Sequence, residues 1–301
     1  MNKITIEISE KIKNLYLSHV SIKDISNETG ISRERITRHL KEIHIYRKFG
    51  AKYIQNDDFF SIIDTEKKAY WLGVLYADGC VRNPNIVVFS SIDKNWVELF
   101  KRDIETDRPI RREFHKTFQR EIWKISITSE QMYNDLCNHG CVDRKSKIIR
   151  MPNIPENLIR HFIRGYFDGD GSVCFYFATK THKHRTLATS FTSGSQGFLE
   201  DICNIIPTSH IQKVYWHSNG KGGGVWSVRI GPNDSLILYD YFYKDSTVWF
   251  QRKKDVFELY RNVRYILKEW NQYTDDEQVF ILQHAKETLR DYNRLPDRVK
   301  G

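Results

Sequence analysis

The sequence predicts an α+β chain. Two pseudo-twofold-related αββαββα units form its body, with a small all-α helix-turn-helix block ahead of them and a helical tail behind. Three observations carry that prediction. The strings YWLGVLYADG (Tyr70–Gly79) and HFIRGYFDGDG (His161–Gly171) repeat one pattern: an apolar run with small residues at matched spacing, closed by an acid and a glycine. The order of elements after each string is the same. The first 48 residues carry two short capped helices around a single glycine. The implied boundaries are 1–48, 64–150, 156–260 and 261–301.

In the first block, SEKIKNLYLSH sets Ile12, Leu15 and Tyr16 on one helical stripe. Ser21 is placed to cap a second helix with Ile22 and Ile25 inside, and Gly30 supplies the turn. Ser32 then stands before a third helix, whose inner face is Ile36 and Leu40. The spacing of Ser26, Gly30, Ile36 and Leu40 is similar to helix-turn-helix domains. The outer face of the last helix carries Arg33, Arg35, Thr37, Arg38 and Lys41, which suits phosphates and base edges in a major groove.

After Asp78 the pattern reads as a strand at Cys80–Arg82, a turn at Asn83-Pro84-Asn85, the strand IVVFSSI and the helix DKNWVELFKRDI. Strands RPIRREFHK and EIWKISIT and the helix SEQMYNDLCNHG complete the unit. After Asp170 come strands SVCFYFA and HRTLATSFTS, the helix SQGFLEDICNII, strands IQKVYWHS and VWSVRIG around the loop NGKGGG, and the helix NDSLILYDYFYKD. Trp123 answers Trp226, and Arg144-Lys145 answers Arg252-Lys253. The charged tail offers Trp270 and Leu282 as docking points.

A chain of 301 residues with 40% hydrophobic content can bury more than one core. A net charge of +9 with 13% aromatics favours a polyanionic partner. Five scattered cysteines do not form a disulfide framework and suit a reducing compartment. Cys137, His139 and Cys141 lack the second ligand pair of a zinc site. No apolar stretch approaches the ~20 residues of a membrane span, and the N-terminus has no signal-peptide core.

Gly73 and Ala77 stand four apart, as do Gly165 and Gly169, so each helix has a face of small residues that lets the two backbones approach. The bulky Leu72, Leu75, Tyr76, Ile163, Tyr166 and Phe167 are expected to pack into each unit's own sheet. Asp78 and Asp170 then meet at the C-terminal ends of paired helices, with Gly79 and Gly171 as C′ residues. Helix dipoles and mutual repulsion both disfavour two carboxylates there. A divalent cation reverses both penalties, and Mg²⁺ with phosphate oxygens fits one or two carboxylates plus water. A calcium loop starting at Asp168 is excluded by Val173 and Thr179 at its key positions.

The two strings resemble the paired motifs of single-chain LAGLIDADG homing endonucleases. Trp71 through Gly79 matches at the glycine, the apolar pair and Ala-Asp-Gly; Ile163 through Gly171 matches at the glycine, Asp-x-Asp and the final glycine. The resemblance implies a saddle of two sheets on DNA. It also implies metal at Asp78 and Asp170, with the Gly79 and Gly171 backbones as further ligands, and Mg²⁺ as cofactor with Mn²⁺ as a substitute. It implies a catalytic lysine in each half, best matched by Lys145 and Lys253, with Lys147 and Lys254 as neighbouring alternatives. Tyr76 replaces the first acid of the Asp-x-Asp pattern, so Asp168 is read as structural. Staggered cuts with short 3′ overhangs belong to the same implication.

Sequence reading is expected from strand residues facing the groove. These are Arg82, Arg111, Arg112, Lys116 and Lys124 in the first unit and Arg185, Lys213 and Arg229 in the second. Unequal units imply an asymmetric target. The expected protein is a monomeric, free-standing or intron-borne double-strand DNA endonuclease. Its expected place is the cytoplasm of a bacterial or phage-infected cell, or an organellar matrix. The alternatives are a helix-turn-helix regulator that binds without cutting and a maturase that grips intron RNA.

Overall fold

The computed structural model describes residues 4–268 apart from 19, 44, 47–52, 83–84, 116–118, 177–185, 219 and 221–222, together with 274, 276 and 277. In chain order the helices are α1 (Ile6–Leu17), α2 (Ile22–Thr29), α3 (Arg33–Glu42), α4 (Glu66–Ala77) and α5 (Lys94–Asp103), then α6 (Glu130–Asn138), α7 (Glu156–Asp170), α8 (Gln196–Ile205), α9 (Pro232–Tyr243) and α10 (Gln251–Lys268). The strands are β1 (Cys80–Arg82), β2 (Ile86–Ser91), β3 (Arg111–His115), β4 (Arg120–Thr128), β5 (Ser172–Tyr176), β6 (Thr186–Ser193), β7 (Val214–Ser218) and β8 (Gly224–Ile230). From α4 to α6 and again from α7 to α9 the order is αββαββα. The two four-stranded sheets share one topology, β1-β2-β4-β3 and β5-β6-β8-β7. The docking points Trp270 and Leu282 lie outside the described residues.

Two compact units emerge, and each spans separate stretches of chain: 1–59 with 88–129, and 60–87 with 130–301. In the first, Ile12, Tyr16, Ile25, Ile31, Ile36 and Leu40 form the three-helix core, joined by Ile54. Ser21 caps α2 through a 3.2 Å bond from the Asp24 amide, and Gly30 takes the left-handed φ of 67° that ends it. Ser32 differs from expectation. It holds the N-cap position of α3, but its side chain accepts no helix amide. The Glu34 carboxylate instead accepts from its own amide and the Ser32 hydroxyl, which holds it below the usual carboxylate range. The same unit contains a second core, where Phe89 meets Trp96 and Phe100 edge-on at 5.1 Å each.

The second unit holds both motif helices. A Cβ on Gly73 would land on the Phe162 carbonyl oxygen, and one on Gly165 would land on the Tyr70 carbonyl oxygen. The expected small-residue seam is therefore real, because only hydrogen atoms fit at these crossings. Gly79 and Gly171 do not act as left-handed C′ residues. Asp78 itself caps α4, and Gly171 caps α7 in extended backbone (φ −79°, ψ 165°). Their need for glycine is steric: a Cβ on Gly79 would stand 2.5 Å from the Leu75 carbonyl, and one on Gly171 would strike the Phe167 ring. Tyr76 is a second difference. Its ring lies 4.9 Å from Phe162 and 6.0 Å from Phe198 across the seam, while its hydroxyl donates to the His139 carbonyl of its own half. Phe167 does pack within its own half, on Phe191, Phe242 and Phe257. Among the described residues no helix is long and apolar enough to cross a membrane.

Candidate active site

The glycine seam brings two acids to one end of the helix pair. Asp78 ends α4, and its Oδ2 would lie 3.2 Å from a Cβ on Gly169 of α7. Asp170 is the last residue of α7. Both acids are exposed at the surface, yet the neighbouring protein strips part of the water from each carboxylate. That surround and the charge of Asp170 push Asp78 up to about 6, against the pull of Lys253 and Lys145. Asp170 is also raised by its surround, offset by the same two lysines and by a bond from the Tyr166 hydroxyl. Two neighbouring carboxylates that resist ionising are a site short of positive charge.

A buried lysine meets the glycine after each acid. Lys145 stands in a short 3₁₀ turn (Lys145–Lys147) and donates from Nζ to the Gly79 carbonyl at 2.5 Å. Lys253, in the first turn of α10, donates to the Gly171 carbonyl at 2.6 Å, to Phe167 at 2.6 Å and to Gly169 at 3.1 Å. Burial brings Lys253 down to about 8, although Asp168 and Asp78 oppose the shift. The neighbouring alternatives point elsewhere. Lys147 is exposed, and Lys254 covers the Trp249 ring at 3.8 Å with Glu258 at 3.7 Å.

Asp168 is fully buried between the halves of the seam. Its Oδ2 accepts from the Tyr70 hydroxyl and the Phe250 amide, each at 2.8 Å, while Oδ1 has no partner. Burial pushes it up to about 6. One turn earlier the buried Arg164 donates to Glu66 at 2.7 Å, to the Phe242 carbonyl at 2.6 Å and to His161 Nδ1 at 2.8 Å. Glu66 also accepts from the Thr247 and Val248 amides. Sequence reasoning missed this network, which ties the segment leading into Lys253 to both motif helices. The available signal was Arg164, a cation inside an otherwise apolar helix.

The expected DNA contacts separate. Arg33, Arg38 and Lys41 are exposed on α3, with Arg35 and Thr37 half-buried. In β3 and β4, Arg111 pairs with Lys124 and Arg112 with Trp123. Arg111 and Arg112 therefore face opposite sides of the sheet, and Arg112 shares the side of buried Ile125 and Ile127. Arg112 is bonded to Glu121, and Lys124 to Glu113 at 3.2 Å. Arg82 is exposed in β1, and Arg229 is exposed in β8 opposite Ser190. Lys213 precedes β7 and is exposed; Lys116 and Arg185 lie outside the described residues. The face that carries Arg229 also presents Ser172, Thr192, Tyr215 and Ser227, hydroxyl groups that a search for basic residues passes over.

The donor set fits a hard divalent cation. Among the described residues no group of three or more His, Cys, Asp and Glu converges, so Asp78 and Asp170 would be completed by water and substrate oxygens, as Mg²⁺ prefers. The Gly79 and Gly171 carbonyls already accept lysine protons, which would leave the two carboxylates as the principal ligands of such an ion.

No protein-family profile matches the chain. The replication factor C small subunit of Thermococcus kodakarensis is 26% identical over 168 residues, which is 54% of this chain and 19% of that protein; the chain thus spans about a fifth of that relative's length. The LAGLIDADG homing endonuclease I-SmaMI bound to cleaved DNA superposes with a TM-score of 0.51 at 13% identity, over 75% of this chain and 97% of that one. I-GzeII in complex with its DNA target gives 0.48 at 11% identity, over 77% and 99%. With its duplicated motif, paired sheets and glycine seam, the chain has the single-chain, two-motif LAGLIDADG homing endonuclease fold.

Proposed function

We propose that the protein is a site-specific double-strand DNA endonuclease that requires a divalent metal, Mg²⁺ or Mn²⁺. The observation that carries this reading is the convergence of Asp78 and Asp170 at one end of the glycine seam, each with raised proton affinity and a buried lysine at the following glycine. When bound there, the metal supplies an activated water and charge stabilisation at the scissile phosphate. Asp78 and Asp170 hold it. The lysines fix the turns that present the acids and add positive charge beside a developing phosphorane. Gly73, Gly165 and Gly169 set the spacing of the two acids through the helix crossing.

The basic face of α3 supports a second DNA contact, with Arg33, Arg38 and Lys41 on phosphates or base edges. Unequal sheet faces favour an asymmetric target, and short 3′ overhangs belong to the same proposal. The protein acts as a monomer, since both acids come from one chain. A cytoplasmic or organellar setting accompanies this reading. The test is selection of cleavable duplexes from a randomised pool in Mg²⁺. Cleavage lost in both Asp78→Asn and Asp170→Asn supports the nuclease. Tight duplex binding without cleavage in Mg²⁺ or Mn²⁺ favours a regulator, and stronger binding to structured intron RNA favours a maturase.

A further inference from the structure

We propose that the three-helix block is clamped to the β3–β4 pair through residues 53–56, so that α3 meets the duplex at one fixed spacing from the bases under those strands. The target then carries a flank read by α3, and the distance of that flank from the strand-read bases is itself a determinant of specificity. This inference rests on the DNA reading above.

Ile54 is the joint. Its side chain is 3% exposed and completes the core of Ile12, Tyr16, Ile25, Ile36 and Leu40. Its backbone is tied to the segment between α5 and β3. The Ile54 amide donates to Asp107 Oδ1 at 2.7 Å, and its carbonyl accepts from the Thr106 hydroxyl at 2.7 Å and from the Asp107 amide at 3.2 Å. Buried backbone groups require such partners. The helices cannot swing relative to residues 106–107 without breaking these bonds or drawing the Ile54 side chain out of its core.

The neighbouring residues repeat the tie. Arg108 Nε donates to Gln55 Oε1 at 2.7 Å, and its guanidinium lies over the Tyr53 ring at 5.1 Å. Its terminal nitrogens donate to the Ser126 and Thr128 carbonyls of β4 at 3.3 and 3.4 Å. Gln55 Nε2 reaches the same Thr128 carbonyl at 2.9 Å, and Asn56 Nδ2 reaches Glu105 at 2.9 Å. Each residue from 53 to 56 is thus held by 105–108 or by β4, the reverse of a flexible linker.

Both sets of expected DNA contacts therefore sit in one compact unit. Ile36 and Leu40 fix α3 in the core that Ile54 completes, with Arg33 and Arg38 exposed on its outer face. Arg111 and Lys124 are cross-strand partners on β3 and β4. A base pair inserted between the two recognised stretches turns and shifts the flank, since the duplex repeats about every 10 base pairs.

Two measurements on the full chain test this. In ¹⁵N relaxation without DNA, amides of α1–α3 are expected to share the rotational correlation time of β3 and β4; a shorter time for α1–α3 overturns the clamp. For the spacing, a duplex is selected from a randomised pool. Positions protected by wild type and not by Arg33→Ala/Arg38→Ala mark the flank. Two, five or ten base pairs are then inserted between the flank and the remaining footprint. Each insertion is expected to lower wild-type affinity at least about tenfold, to the level of the double variant on the original duplex. Ten pairs restore the groove phase but displace the flank by about 34 Å, beyond the reach of a clamped helix. Wild type that binds an inserted duplex more tightly than the double variant binds the original overturns the proposal. Thr106→Val/Arg108→Ala, which leaves the helix core intact, is expected to shorten the α1–α3 correlation time and to reduce the penalty of the two-pair insertion; wild-type values of both overturn the assignment of the clamp to these bonds. A double variant with wild-type affinity for the original duplex overturns the spacing claim. If wild type selects no duplex, the DNA reading and the spacing claim fail together, and relaxation still decides the clamp.

Discussion

The carboxylate of Asp78 rests against Gly169 of the opposite motif helix: a Cβ at Gly169 would stand 3.2 Å from Asp78 Oδ2 and on the Ala77 methyl. The spacing of the acids is therefore set by the absence of side chains at the crossing. Gly73→Ala and Gly165→Ala would each drive a methyl into a backbone carbonyl that cannot yield. Each is expected to cost about 1–3 kcal/mol or more in urea unfolding. A change within about 0.5 kcal/mol, the usual range for an innocuous surface substitution, would contradict the seam.

Burial of Asp78, reinforced by the charge of Asp170, gives a stability prediction with a definite sign. Asp78 has its folded pKa raised to about 6, so the folded state is penalised as pH rises from the ordinary carboxylate range through 6. Metal-free Asp78→Asn is expected to melt at a higher temperature than wild type at pH 7.5 and at the same temperature at pH 3.5. Saturating Mg²⁺ is expected to raise the melting temperature of wild type and not of the variant. A variant less stable than wild type at pH 7.5 without metal would remove the argument that the pair lacks positive charge.

His161 gives the opposite dependence. Burial and the neighbouring Arg164 bring it down to about 4, and its Nδ1 accepts the Arg164 proton, which requires a neutral ring. Its folded pKa lies below the unfolded one, so its contribution is complete above about pH 6.5 and is lost as pH falls through 4. The loss is on the order of 2–3 kcal/mol. Urea unfolding at pH 7 and pH 4, compared between wild type and His161→Gln, measures it. Identical pH dependence in the two proteins would show that His161 is not the group responsible.

For α3, Arg38→Ala and Arg33→Ala are expected to weaken duplex binding and reduce its salt slope while leaving single-turnover cleavage of bound DNA unchanged. Each is expected to remove one phosphate or base contact, about 1–3 kcal/mol if a base edge is read. Equal affinity in all three proteins would make α3 an ordinary solvated helix.

The local features were legible in the sequence. Repeated small residues at Gly73, Ala77, Gly165 and Gly169 gave the helix crossing, and the capping serine and glycine at Ser21 and Gly30 gave the first block. What escaped depends on partners distant along the chain. Tyr76 reads as a residue for its own sheet, but Phe162 and Phe198 lie across the seam from it. Arg111 and Arg112 both stand among the expected groove contacts, but the strand register sends them to opposite faces of the sheet. Lys145 and Lys253 read as equivalent, and only the carbonyls around them tell them apart.

Iron-directed cleavage of the polypeptide probes the acid pair without knowledge of the DNA target. Fe²⁺ placed in the divalent site, with ascorbate and peroxide, generates radicals that cut the nearest backbone. Fragments ending near both Gly79 and Gly171 are expected from wild type, and both sets of cuts are expected to disappear in Asp78→Asn and in Asp170→Asn. Cuts at only one motif, or cuts at both that persist in either variant, would contradict a shared cation site.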